Sequence, residues 1–520
     1  MKKFKKLAFS QQTLFHLTFA LYFFYAFNHN LFLRITENSE QGFFFTTSKI
    51  LLFFLIIFLT LNIFDLFRKV LRDICYLFFI TTAALTAYYS DAFNIIFSSD
   101  VILSVINTDW REAKQFLSVV YYLIFSALIP LLLIIKFHPK KSSLKEQTLR
   151  VVTALLLIFV VLGFSFKDFK DYFRNNRIDR EYFHPFYAYY SAIKAAGEDR
   201  MIVNANDLKD PIHITQYDKE KNRKKILVMV VGETARADHF SLNGYSKQTN
   251  PLLEKQDLIN FNHFYSCGTI TKFSLPCMFS FLKRVEFSYQ KAFSQKNVLE
   301  VLQEQGVNVS WRDNNSDSKG VALRVKYEDF QTPQRNNDCT NECHDDGLLN
   351  DLDHEISPIK DNIIVLHAIG NHGPHYYKRY PAEFERFTPV CKLSHIQNCP
   401  HDQLVNAYDN AILYTDYFLN KTIETMKAYE DKYDVSVIYI ADHGESLGEH
   451  GKFMHASNYG LYEAEIHVPA FIWLGKGQQN LYKRIKLNSQ KKLSHDTLSC
   501  SLINLFEMES DKCQGILFND

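Results

Sequence analysis

The two ends of this chain have different compositions, and that contrast limits its fold more than any motif does. Up to about Phe166 the sequence is a series of long apolar runs rich in Phe, Leu and Ile; from about Lys167 it is mixed, charged and punctuated like a soluble domain. A helix that crosses a membrane needs about 20 mostly apolar residues, because the hydrocarbon core is about 30 Å thick. Five stretches come near that length: Thr13–Leu33, Ile50–Phe67, Ile74–Ser90, Phe116–Ile135 and Val151–Phe166. The sequence therefore predicts a five-helix transmembrane domain over 1–166, interfacial bridging helices and a linker over 167–206, and an α/β domain over 207–520.

Basic residues set the orientation. Lys2, Lys3, Lys5 and Lys6 precede the first stretch, and Arg68, Lys69 and Arg72 join the second to the third. Lys136, Lys140, Lys141, Lys145 and Arg150 join the fourth to the fifth, while the other two loops hold only Arg34, Lys49, Arg111 and Lys114. Positive charge favours the cytoplasmic face, so the N-terminus lies inside and the fifth helix delivers everything after it outside. The opening MKKFKK resembles a signal peptide, but the apolar run is too long and no small-residue cleavage site follows. Within the spans the main ionisable residues are His16 and Asp65. Asp65 stands near Arg68 and Lys69 at the cytoplasmic end, and His16 reads as a neutral, hydrogen-bonded group, so the spans form an anchor and not a channel. Between Lys167 and Ala196, Tyr182, Phe183, Phe186, Tyr187, Tyr189 and Tyr190 stand in a segment otherwise rich in charges, which suits a bridge lying in the headgroup zone.

A net charge of +1 over 520 residues removes any global electrostatic case for nucleic-acid binding. Of the nine cysteines, Cys75 lies in a predicted span and eight fall on the predicted outer side. They come as close pairs: Cys267 with Cys277, Cys339 with Cys343, Cys391 with Cys399, Cys500 with Cys513. An even count at short separations in an exported domain reads as disulfides, and no pair has the C-x-x-C spacing of a thiolate metal site. Each closure would contribute about 2–3 kcal/mol by restricting the unfolded chain. The compartment is oxidising, most naturally a bacterial periplasm.

In the outer part Ile226–Val231, Val307–Trp311, Ile363–Leu366, Val435–Ile440 and Ala470–Trp473 are short runs rich in apolar, β-branched residues. They predict a parallel-rich sheet covered on both faces by helices, and such sheets bind ligands beyond the carboxyl ends of their strands. Glu233 follows the first run, His367 and His372 the third, Asp442 and His443 the fourth, with His455 a little later. Carboxylates and imidazoles at three ends of one sheet are the ligand chemistry of a zinc site without sulfur. The segment Ser266–Cys277 reads as a loop entering a helix, whose N-terminus suits a phosphate anion. Thr269 and Thr271 there are both candidate nucleophiles once a metal makes an alkoxide accessible, and spacing does not choose between them.

With these residues in view, the chain resembles the membrane-anchored phosphoethanolamine transferases of Gram-negative bacteria, a group within the alkaline-phosphatase-like superfamily, which also holds the sulfatases. The group includes lipid A modifying and polymyxin-resistance enzymes. The resemblance spans essentially the whole chain and rests on VVGETARADHFSLNGY, SCGTITKFSLPCMFS, WRDNNSDSKG, HAIGNHGPHY and ADHGESLGEHGKFMH. It implies a catalytic zinc held by Glu233, Thr271, Asp442 and His443, with Thr271 as nucleophile. It implies that Asn315 and Lys319 bind the phosphoethanolamine head, and that His372 and His455 contact substrate or a second zinc. The donor would be phosphatidylethanolamine and the acceptor a phosphate of lipid A or lipopolysaccharide. The protein would act as a monomer in the bacterial inner membrane, with its catalytic domain in the periplasm. Ile270 and Lys272 depart from the small residues frequent beside the nucleophile, which bears on the mouth of the pocket and not on the metal.

Four other readings compete. A sulfatase needs a C/S-x-P-x-R-type segment for its formylglycine, and Cys277-Met278-Phe279-Ser280-Phe281 lacks it. A teichoic-acid-type glycerol-phosphate transferase shares the anchor and threonine, and product mass separates it. An inner-core sugar or another glycan could replace lipid A as acceptor. The complete ligand set argues against an inactive membrane scaffold, and zinc content tests it.

Overall fold

Long apolar runs close their own backbone hydrogen bonds as helices, and the described residues in the N-terminal part of this computed structural model form helices joined by short turns. The structure describes residues 11–37, 42–93, 95–107, 143–164, 166–175, 177–199, 208–221, 223–339, 342–393, 395–455 and 462–513. The chain divides into two compact units, one of Met1–Ile102 and Phe116–Lys194, the other of Leu103–Gln115 and Ala195–Asp520.

In the first unit, α1 spans Gln11–Phe27, α2 His29–Glu37, α3 Phe43–Phe64, α4 Lys69–Phe93 and α5 Leu144–Phe164. Among the described residues, α3, α4 and α5 are long and apolar enough to cross a membrane. The expected span Thr13–Leu33 is not one helix. It breaks at Asn28, whose buried amide accepts from His184 N at 2.8 Å and donates to His184 O at 3.2 Å. The expected span Phe116–Ile135 lies outside the described residues. The core is largely aromatic: Phe23 stacks on Phe79 at 4.6 Å, and Phe53 meets Phe183 at 4.8 Å.

The expected pairing of Asp65 with Arg68 and Lys69 gives way to a different set. Asp65 is buried, accepts a hydrogen bond from Gln12, and lies 3.2 Å from His16 Nε2 and 4.0 Å from Arg150. His16 Nδ1 is 3.0 Å from Asn62 Oδ1, which also accepts from Arg150 Nε at 2.9 Å. The cluster joins α1, α3 and α5. Asp65 directly follows α3 and is enclosed, whereas Arg68 and Lys69 are exposed, so the carboxylate pairs with buried partners on neighbouring helices.

The second unit is organised by a seven-stranded sheet. Its strands are β1 Lys225–Gly232, β2 Leu258–Asn260, β3 Asn308–Asp313, β4 Lys326–Asp329, β5 Asn362–His367, β6 Asp434–Ala441 and β7 Ala470–Leu474. The spatial order is β2-β7-β6-β1-β5-β3-β4. From β6 to β4 the pairs are all parallel, but β7 runs antiparallel to both β6 and β2. The sheet is therefore mixed, and Ala470–Trp473 departs from the parallel expectation. Every residue of β1 and β5 is buried, as strands covered on both faces require. Helix α6, Thr271–Met278, and the long α7, His401–Lys427, belong to this unit, and α7 packs on β6. All four expected cysteine pairs stand as disulfides, and Cys75 is free.

Candidate metal centre

Four adjacent strands end level. Asp313 is in register with His367 across β3 and β5, His367 with Val231 across β5 and β1, and Gly232 with Ala441 across β1 and β6. The next residues along β1 and β6 are Glu233 and Asp442–His443, side by side at the carboxyl edge. All three side chains are fully buried, and one ligand atom from each falls within 4.8 Å of the others.

Helix α6 brings the fourth group. Ile270 precedes it in extended conformation, and Thr271, its first residue, places Oγ1 3.1 and 3.2 Å from the Glu233 oxygens and 3.3 Å from His443 Nε2. The Ser274 hydroxyl, one turn on, is shared between Ile270 O at 3.0 Å and Asp442 Oδ2 at 3.3 Å. The Cys267–Cys277 disulfide ties the entry loop to the far end of the helix. Gly444 is required just after the ligands, because a Cβ there would collide with Ala464 O.

The arrangement is one of converging lone pairs. His443 Nδ1 lies 2.8 Å from Gly444 O and so carries the proton. Nε2 then presents a lone pair 3.4 Å from Glu233 Oε1 and 3.4 Å from Asp442 Oδ2. Such a set is what a divalent cation with oxygen and nitrogen ligands satisfies, so the residues fit zinc. Burial pushes the Asp442 carboxyl up to about 6, against the pull of His367 and of the His443 and Thr234 amides. Burial, then the neighbouring His455, draws the His443 imidazole down to about 4, which keeps it neutral and able to ligate.

Asn315 donates to Glu233 Oε2 at 2.8 Å and to Ala368 O at 3.1 Å, so in this structure it orients a ligand carboxylate. Lys319 is buried on the same loop, but its ammonium binds Ser316 O and Oγ at 3.0 and 2.8 Å and makes no hydrogen bond to Thr271. The His455 ring is tilted against His443, centroids 4.3 Å apart, and its Nδ1 lies 3.3 Å from Glu445 Oε2; the His372 ring centroid lies 6.2 Å from that of His455. The two histidines thus form an outer layer over the cluster.

Three participants escaped the sequence reading. Asp313 lies 2.9 Å from His367 Nδ1, which makes His367 a paired histidine behind Asn315. Burial opposes that pair, yet Asp313 holds His367 above the usual imidazole range. His495 accepts from Cys267 N at 3.3 Å and lies 3.1 Å from Ala441 O, braced behind both α6 and β6. Burial pulls it down to about 3. Glu445 is buried beside the outer histidines, and burial pushes it up to about 8. Asp313 and Glu445 stand inside the motifs quoted above and carry a readable signal; nothing near His495 in sequence marks it.

Known proteins match the chain along its length. A family described as Sulfatase matches residues 225–508, and one described as Phosphoethanolamine transferase EptA/EptB matches residues 51–199. Phosphatidylethanolamine transferase Mcr-1 of Escherichia coli is 37% identical over 469 residues, 86% of this chain and 85% of its own. The integral membrane lipooligosaccharide phosphoethanolamine transferase A of Neisseria meningitidis superposes with a TM-score of 0.85 at 28% identity, over 96% of this chain and 97% of that one. The C-terminal periplasmic domain of EptC from Escherichia coli, solved as a complex with zinc, shares the fold at 20% identity and TM-score 0.50, over 60% of this chain and 92% of that one.

Proposed function

The chain belongs to the phosphoethanolamine transferase family, and from that premise we propose that it moves phosphoethanolamine from phosphatidylethanolamine to a phosphate of lipid A through a phosphothreonine at Thr271. The observation that carries this reading is the Thr271 hydroxyl within 3.3 Å of both Glu233 and His443, at the head of a helix on the sheet's carboxyl edge. Zinc held by Glu233, Asp442, His443 and the threonine oxygen would supply Lewis-acid polarisation of that oxygen and of the phosphoryl group.

The protein's own groups divide the remaining work. Thr271 Oγ attacks the donor phosphorus, the bond to the diacylglycerol oxygen breaks, and diacylglycerol leaves with a proton. An acceptor phosphate oxygen then attacks the phosphothreonine, and the Thr271 oxygen is released. His372 and His455, in the outer layer, carry the protons of the two steps. Asn315 keeps Glu233 turned toward the cluster, and the positive end of α6 favours the phosphate. Lys319 would reach the phosphoethanolamine head by leaving Ser316. The added ammonium lowers the acceptor's negative charge and weakens its attraction for cationic peptides.

In this reading five spans anchor the enzyme in a bacterial inner membrane as a monomer, and the globular unit works in the periplasm. The sulfatase match concerns the fold, since the formylglycine segment is missing. The test is a mass spectrum of lipid A and core from cells expressing the full chain, with a parallel search for phosphoethanolamine on the Thr271 peptide. Added phosphoethanolamine on a lipid A phosphate is the expected outcome. Addition only to a core sugar would move the acceptor, and a glycerol-phosphate adduct would reject the donor.

A further inference from the structure

The loop after β5 carries His372, and it is fastened from three sides. Asn371 N donates to Glu233 O at 3.0 Å, and Gly370, at φ +49°, lets the Glu233 backbone approach where a Cβ would stand 2.8 Å from that oxygen. Ile369 N and Gly370 N donate to the buried Asp345 carboxylate at 2.8 and 3.0 Å. On the third side, Arg379 Nε donates to His372 O at 2.6 Å and Arg379 Nη1 donates to Glu342 Oε2 at 2.6 Å.

Arg379 is only 2% exposed. A guanidinium at that depth is costly unless it is both paired and hydrogen-bonded, so its contacts to Glu342 and to the His372 carbonyl support each other. Glu342 in turn lies between Cys339 and Cys343, which are joined by a disulfide with Cα atoms 4.0 Å apart. That closure limits how far the carboxylate can withdraw. The His372 ring meets the next peptide unit along: Nδ1 lies 2.9 Å from Gly373 O, so it is the protonated nitrogen and Nε2 is the basic one. Turning the His372 carbonyl turns the following residue, and with it the oxygen that selects the tautomer.

We propose that Arg379, held by Glu342 within the Cys339–Cys343 loop, is a positioning residue that aims His372 for proton transfer. It acts through the His372 carbonyl, to which its Nε donates. This rests on the reading of His372 as a proton carrier given above.

The test uses the full chain in vesicles of phosphatidylethanolamine and lipid A, with Glu342→Gln, Arg379→Lys and Arg379→Ala made singly and each combined with His372→Ala. Glu342→Gln and Arg379→Lys should lower kcat roughly 10-fold, the scale of lost orienting partners, with donor KM changed less than about two-fold and bound zinc unchanged. Arg379→Ala should lose more, and methylguanidine should restore part of it. Added to His372→Ala, none of the three should cost further activity, because the group they aim is gone. Additive losses, or zinc lost along with activity, would reduce Arg379 to a structural ion pair and overturn the proposal. If Arg379→Ala does not fold, Glu342→Gln still decides, since its side chain is 23% exposed and its loss leaves the core filled. Wild-type kcat in His372→Ala would instead overturn the proton-carrier reading, and the positioning role with it.

Discussion

The helical unit and the globular unit use their buried polar groups differently. In the first, Leu21, Phe78, Leu156 and Phe159 face outward, while His16, Asn62 and Asp65 are enclosed. In the second, the central strands enclose Val, Ile and Leu, and buried carboxylates gather at one edge of the sheet. Lipid is as apolar as leucine, so in a membrane an apolar side chain gains little by turning inward and polar groups hold the bundle together. In water every buried carboxylate needs a compensating partner. The polar cluster of the helices contains its own donors, Gln12 and Arg150 among them. The edge of the sheet gathers lone pairs that a cation would complete. The proposed function reads one arrangement as a fastening and the other as a site, with the chemistry in the globular unit and residence at the membrane in the helical one.

The sharpest way to break that division is Thr271→Ala. It should leave a folded, membrane-bound protein whose transfer falls about 10⁴-fold, because a lost nucleophile removes the covalent route entirely. Activity close to wild type would transfer the role to Thr269. Next in size come Glu233→Ala, Asp442→Ala and His443→Ala, each expected to lower transfer on the order of 10³-fold together with zinc content. Stoichiometric zinc in all three variants would reject this ligand set.

How much of this was legible before the structure follows from what each residue type announces. The β1, β5, β6 and β7 runs are apolar over four or more residues, so they read as strands, and behind β1, β5 and β6 stand Glu233, His367 and Asp442–His443. Apolar runs carry no direction, so the reversal of β7 was not legible. Nor were the edge strands: Leu258–Asn260 has three residues, and Lys326–Asp329 is half-exposed and charged, so neither shows a buried face. The break at Asn28 was visible as polar residues inside an apolar run, but its cause, the backbone of His184, is 156 residues away. His495 belongs to no motif, and only the fold brings it to Ala441 and Cys267.

The comparison is tested directly by separating the units. A chain beginning near Asp207 should keep zinc and cleave a soluble phosphoethanolamine ester at about the full-length rate. On mixed lipid vesicles it should transfer about 10²-fold more slowly, since tethering raises effective concentration without changing the chemistry. Equal rates on vesicles would remove the anchoring role. Within the site, pH offers a smaller effect. Asp442 must be ionised to ligate, and its metal-free carboxyl is raised to about 6 by burial, whereas His443, drawn down to about 4 by burial, stays neutral. Zinc affinity should therefore be nearly flat above pH 7 and fall about tenfold per unit below pH 6, one proton displacing one ion. A titration with a competing chelator from pH 8 to 5 checks it, and a flat profile would show that Asp442 is not a ligand.

The smallest expected effect asks whether the polar cluster of the helices is only a fastening. Asp65→Asn keeps the volume and an oxygen for Gln12, but removes the charge that faces His16 at 3.2 Å and Arg150 at 4.0 Å. Polar contacts between membrane helices are worth about 1 kcal/mol, because the unfolded helices also find partners in lipid. Unfolding in mixed detergent micelles should therefore shift by about that amount, with kcat for lipid transfer and for the soluble ester both within about two-fold of wild type. On the function proposed above the reacting groups stand in the globular unit, so a loss confined to stability is what an anchor predicts. A variant with normal stability and greatly reduced lipid transfer would make Asp65 part of a pathway instead, and the helical unit more than an anchor.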